Sequence, residues 1–170
     1  MPTSIDNASA TLLGEEQWQW LEAELRMPGP AVRLIGSSIA FASEFHGMEG
    51  WSLFPAEQRR LVEVLRRTRA EGVIFITGDV HFAELSRIHP TGLYPLYDLA
   101  SSGLNMDWPV APHNSRRLAG PVHRYNWGCV VIDWTRQSLE LEIRDASGAL
   151  ALQRTVLLDE LRIPAAHSDS

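Results

Sequence analysis

Val73-Ile74-Phe75-Ile76-Thr77-Gly78-Asp79-Val80-His81 is an apolar run that breaks at a glycine and then presents an acid and a histidine two residues apart. β-Branched and aromatic residues fill the first five positions, with no polar alternation, which is how a strand reads when both faces of a parallel sheet are covered. Ligands of such sheets bind outside the carboxyl ends of the strands. The run therefore predicts a parallel sheet and, at its edge, a site containing Asp79 and His81.

The flanking sequence supplies the rest of a β-α-β unit. Pro55 suits a first helical position, and Leu61, Val64, Leu65 and Thr68 recur on one helical face up to a stop at Gly72. Upstream, Val32-Arg33-Leu34-Ile35-Gly36-Ser37 reads as a second strand. A right-handed crossover between two parallel strands brings Ser37 and Ser38 to the same edge as Asp79 and His81. The connection from Ser38 to Phe54, with Glu44, His46 and Glu49, leaves from that edge, and a connection so long carries function more often than not. A further helix is expected over Glu15–Arg26, stopped by Pro28-Gly29-Pro30. After Tyr97 the character changes: Tyr97–Ala100, His123–Trp134, Ser138–Arg144 and Leu150–Leu158 read as mostly antiparallel strands. The expected fold class is thus α/β. One domain spans 12–162, between a disordered segment 1–11 and a frayed tail 163–170.

Composition bounds the function. A chain of 170 residues with net charge −6, whose 15 basic residues are all arginine, has no broad basic face for a nucleic-acid backbone. No apolar stretch reaches the length of a membrane span, and the first eleven residues lack a secretory pattern, so the chain as written is expected in the cytoplasm. The single cysteine, Cys129, reads as a small buried hydrophobe.

Asp79 and His81 offer a carboxylate oxygen and an imidazole nitrogen, donors suited to a hard or borderline divalent metal. Such a metal would bind a phosphoryl oxygen and acidify a bound water. By spacing alone the signal is weak, and an Asp capping a turn beside a surface histidine is the commoner arrangement. Glu84 is a candidate acceptor for the distal N–H of His81, a role that metal-bound histidines need filled, or else a solvated charge. Asp98 and Asn105 flank the turn Ser101-Ser102-Gly103, and Arg116 and Arg117 lie with His113 in a Pro/Arg-rich loop that could reach a substrate phosphate. No Gly-x-Ser-x-Gly elbow and no phosphate-cradling Gly-rich loop are present.

Several stretches in order carry a resemblance: Leu13-Gly14-Glu15-Glu16-Gln17-Trp18-Gln19-Trp20-Leu21; Ser37-Ser38-Ile39; His46 and Trp51; Phe54-Pro55-Ala56-Glu57-Gln58-Arg59; Gly78-Asp79-Val80-His81-Phe82-Ala83-Glu84-Leu85; Tyr97-Asp98-Leu99-Ala100-Ser101-Ser102-Gly103-Leu104-Asn105; and Tyr125-Asn126-Trp127-Gly128 before Ile132-Asp133-Trp134. Together they resemble the C-terminal half of PhoD-like alkaline phosphatases, within the calcineurin-like metallophosphoesterases. The resemblance implies the C-terminal half of an αββα sandwich. It also implies hydrolysis of phosphate mono- or diesters by a metal-bound hydroxide, and a centre of iron and calcium. It places Asp79 and His81 among the metal ligands and His46, a candidate catalytic residue, in a loop over the active site; Ser38, by its strand edge, and Arg116, by its loop, are candidate substrate contacts. Many relatives are periplasmic or secreted. The superfamily's other metal-binding motifs, including an Asn-His pair, do not occur in this sequence. Two alternatives follow: an inactive or complementing subunit that pairs with an N-terminal half or with itself, and a metal-free α/β domain that binds a small ligand.

Overall fold

The computed structural model describes residues 10–44 and 49–164. Helix α1 spans Glu15–Arg26, strand β1 Arg33–Ser37, helix α2 Pro55–Thr68, and strands β2 to β8 follow at Val73–Thr77, Ala83–Ile88, Leu96–Ser101, Arg117–Val122, Asn126–Asp133, Ser138–Asp145 and Leu150–Leu157. The strands form a five-stranded sheet in the order β1-β2-β4-β3-β5 and a three-stranded sheet in the order β6-β7-β8. β1, β2 and β4 are mutually parallel, with Ser37 opposite Thr77 and Thr77 opposite Ala100, while β3 runs antiparallel to β4 and β5. The second sheet is an antiparallel meander. This is the α/β class expected from the sequence, with a β1-α2-β2 unit at its centre.

Both helices lie against one face of the larger sheet, where burial of their apolar stripes is the main stabilising term. α1 buries Trp18 and Leu25, and α2 buries Leu61, Val62, Val64 and Leu65. Rings carry the contact inward: Trp18 meets Trp51 edge-on, Trp51 meets Phe41, and Phe41 stacks on Phe75 of β2 at 3.8 Å between centroids. Glu57 of α2 fixes the register of the helices. Its buried carboxylate accepts from the Trp18 indole at 2.9 Å, from the Leu12 backbone at 3.0 Å and from Thr11 at 3.1 Å. α2 ends at Thr68, four residues before the expected stop, because Arg69 adopts the left-handed conformation that closes a helix. Gly72 instead permits a close crossing. At φ +73° it passes Ala31 so tightly that a Cβ would sit 2.1 Å from the Ala31 carbonyl oxygen.

The opposite face is covered unevenly. Leu139, Leu141, Ile143 and Val156 of the smaller sheet join the same core as Leu85, Leu96, Tyr97 and Leu99. Beyond β4 that cover stops. β2, expected to be buried on both faces, leaves Ile76 38% exposed, and its neighbour Leu34 on β1 is 48% exposed. A cleft of about 530 Å³ runs between Leu34, Gly36 and Ile76 on the larger sheet and Gly128 and Val130 on β6. Cys129, on β6, is half-buried and free rather than a core residue. None of the helices described is long and apolar enough to cross a membrane.

Candidate functional site

Three parallel strands end at one edge, and the residues after each meet there. Ser38 follows β1, Gly78 to His81 follow β2, and Ser102 and Gly103 follow β4. They are in near contact at Gly78, where a Cβ would lie 3.4 Å from Cβ of Ser102 and 3.9 Å from the Ser38 carbonyl oxygen. The His81 backbone is held from both sides: its N–H donates to Ser102 Oγ at 2.9 Å and its carbonyl accepts from the Trp108 N–H at 2.8 Å. His123 closes the same loop, its Nδ1 lying 2.7 Å from the Trp108 carbonyl oxygen.

The local conformation explains how the site displays its donors. Asp79 and His81 both sit at positive φ, +72° and +57°. Acid and histidine side chains tolerate this region better than most, yet each such residue still costs about 1–3 kcal/mol and persists only where its surroundings impose it. Val80 between them provides the constraint. It is buried in a small apolar cluster with Ala40, Phe82 and Ala100. With Val80 plugged inward, Asp79 stands exposed and His81 half-buried at the strand edge.

A second polar centre lies inside the fold. Asp98, fully buried on β4, accepts the backbone N–H groups of Phe41 and Ala42 at 2.7 and 2.8 Å and the Thr77 hydroxyl at 2.6 Å. Burial pushes its carboxyl up to about 6, against the pull of the Thr77, Ala42 and Phe41 donors, and the charge of Glu84 adds to the rise. Glu84, also fully buried, accepts from Ser43 Oγ at 2.8 Å, Ser86 Oγ at 2.9 Å and Asn114 Nδ2 at 2.7 Å, and pairs with Arg117 Nε at 2.5 Å. The two carboxylates thus pin the segment that leaves β1 at Ser38 across the sheet.

The structure brings the segments bearing Ser38, Asp79 and His81 to one edge and gives two other expected residues different partners. Glu84 does not orient His81: its carboxylate is consumed by the four partners just named, because β3 turns that side chain toward Ser43 and Asn114. Arg116 stands near the far end of β3, where its neighbour Arg117 is in register with Ser86 while Ala83 is opposite Ser101 at the site edge. There it pairs with Glu44 at 3.4 Å and donates to the Ala42 carbonyl at 3.2 Å. His46 lies outside the described residues. Sequence reasoning treats Asp98 as a turn residue, although its signal is present in Leu96-Tyr97-Asp98-Leu99-Ala100, where one acid interrupts a buried strand and must therefore have internal donors. Among the described residues no group of three or more His, Cys, Asp and Glu side chains could by itself hold a metal. A metal held by a carboxylate and an imidazole such as those of Asp79 and His81 would need at least one further donor.

Comparison with known proteins gives a family and a fold. The profile of the PhoD-like phosphatase family matches residues 2–114. Alkaline phosphatase D of Bacillus subtilis (strain 168) is 31% identical over 91 residues, covering 49% of this chain and 16% of that protein. The structure of PhoD superposes with a TM-score of 0.69 at 17% identity, over 96% of this chain and 37% of that one. GAP50, the anchor in the inner membrane complex of Plasmodium, follows at a TM-score of 0.61 and 12% identity, over 88% of this chain and 43% of that one. The chain therefore spans well under half the length of each of these relatives.

Proposed function

Because the chain belongs to the PhoD-like phosphatase family, we propose that it forms the strand-end part of a metal-dependent phosphoesterase, with Asp79 and His81 as metal ligands. The observation that carries this reading is the strained display of the two side chains around buried Val80, at the carboxyl ends of three parallel strands. A turn capped for stability alone gains nothing from holding two donors, either side of a buried valine, at positive φ. The group they would hold, iron and calcium by family resemblance, supplies a Lewis acid for a phosphoryl oxygen and lowers the pKa of water. This chain's own contribution is positional. Ser102 Oγ and the Trp108 N–H fix the backbone that carries His81, and Ser38 lies at the same edge as a contact for a phosphate mono- or diester.

The remaining ligands come from polypeptide outside the described residues, in the same chain or in a partner. The uncovered face at Leu34 and Ile76 favours this, since the five-stranded sheet is two strands wider than the cover that β6 to β8 provide. A complementing piece, inactive until that face is filled, is the reading for the chain in isolation.

The test is metal retention, measured by elemental analysis after loading with iron and calcium and dialysis, together with hydrolysis of p-nitrophenyl phosphate and bis(p-nitrophenyl) phosphate. Asp79→Ala and His81→Ala should each lower retention, and with it any hydrolysis. Retention and hydrolysis unchanged in both variants would refute the assignment.

A further inference from the structure

Side chains at the other end of β3 assemble an arginine groove that the strand-edge chemistry does not use. α2 contributes Arg59, Val62, Glu63 and Arg66, spaced so that they share one helical face, and β3 with its extension contributes Arg87, Ile88 and His89. Arg116 completes the wall, its carbonyl accepting the Arg87 N–H at 3.0 Å. The groove holds about 560 Å³.

Charge pairing accounts for only half of these guanidinium groups. Arg66 pairs with Glu63 and Arg116 with Glu44. Arg59 and Arg87 have no carboxylate partner among the described residues. Arg87 lies 5.8 Å from the centre of the Tyr97 ring, a contact that narrows its freedom without neutralising it. Arg33, Arg69 and Arg154 also lack a carboxylate partner among the described residues, but none of them lines this groove, where Arg59 and Arg87 meet two further arginines. Both guanidinium groups line the one groove, and an anion bound between them would relieve their mutual repulsion.

We propose that this groove binds a small anion carrying phosphoryl groups. Guanidinium forks match phosphoryl oxygens in bidentate geometry, and Val62, Ile88 and Pro90 supply apolar surface beside them. The overall negative charge disfavours a long polyanion, whose flanks would meet repulsion outside the groove. A compact ligand with two phosphoryl groups satisfies Arg59 and Arg87 together.

Isothermal titration calorimetry with inorganic pyrophosphate, in EDTA so that no metal mediates, tests the proposal. Saturable one-to-one binding is expected, weakened at least about tenfold in Arg59→Gln and in Arg87→Gln, and weakened by added salt. It should persist in Asp79→Ala and in Arg154→Gln, the second removing an exposed charge on β8. Arg59 is exposed on a helix surface, so its variant reports even if Arg87→Gln folds poorly. Absence of saturable binding, binding indifferent to both groove variants, or equal loss in Asp79→Ala or Arg154→Gln would overturn it.

Discussion

Asp98→Asn should make the protein's stability less sensitive to pH between about 4 and 7 while leaving the fold intact. The folded carboxyl titrates at about 6 against an ordinary 3.8. A group whose folded pKa is raised binds its proton more tightly when folded, so its stabilising contribution is complete below the unfolded value and is lost as pH rises through the folded one. The difference of about 2.2 units corresponds to about 3 kcal/mol lost between roughly pH 4 and pH 7. Asparagine keeps an oxygen where Oδ2 now accepts from Phe41 and Ala42, and its amide can donate to Thr77, so the buried N–H groups stay paired without a charge to desolvate. Urea unfolding of both proteins across this range measures the effect. The wild-type curve should fall relative to the Asp98→Asn curve by up to about 3 kcal/mol as pH rises. Asp98→Ala, which orphans both N–H groups, should cost about 2–4 kcal/mol at every pH. Parallel pH profiles for wild type and Asp98→Asn would show that this carboxyl does not govern the pH response.

Three further outcomes are expected. Glu57→Ala removes the acceptor for Trp18, Leu12 and Thr11 and should cost about 2–3 kcal/mol in urea unfolding, with a red shift of tryptophan emission. Although burial pushes the Glu57 carboxyl up, the Trp18, Leu12, Leu13 and Thr11 donors hold it lower than usual, so its contribution is present above the ordinary carboxylate range and fades as pH falls, opposite in sign to Asp98. Gly72→Ala forces a side chain against the Ala31 carbonyl at positive φ and should lower the melting temperature by about 5–15 °C. Ile76→Glu, on the uncovered face, should leave the melting temperature within a few degrees of wild type and reduce binding of the dye ANS; a loss of stability as large as that of a core substitution would show the face to be covered.

The central unit is legible because its residues obey one rule each. Val73–Thr77 is apolar and short, Pro55 starts a helix, and Glu15–Arg26 shows a helical stripe ended by Pro28. β3 escapes a sequence reading because Glu84 and Ser86 are polar and buried. The pattern Ala-Glu-Leu-Ser mimics a half-exposed strand too short to stand out, and only the donors supplied by Ser43, Asn114 and Arg117 make it an interior strand. β5 escapes because Pro121 argues against a strand, and it is tolerated there because β5 is an edge of the sheet. The strand-edge position of Asp79 and His81 is legible but their display is not: the alternation that buries Val80 and strains its neighbours depends on Ala40, Phe82 and Ala100, which arrive from three different segments. Arg116 and Glu84 escape for the opposite reason: proximity in sequence to other polar residues says nothing about which end of β3 Arg116 reaches or which partners the Glu84 side chain meets.

The outer edge of β6 says what environment this surface was shaped for. Strand edges that face water are guarded by charged side chains, prolines or bulges that forbid pairing with another chain. The edge at β5 carries Pro121, and β8 carries Arg154. β6 runs Asn126-Trp127-Gly128-Cys129-Val130-Val131-Ile132 with no charge and no proline before Asp133, and the chain has no lysine to place there. Such an edge is suited to pairing with another strand more than to facing water. Left unpaired, β6 is an open template for strand addition, and solubility is governed by that edge more than by the core behind it.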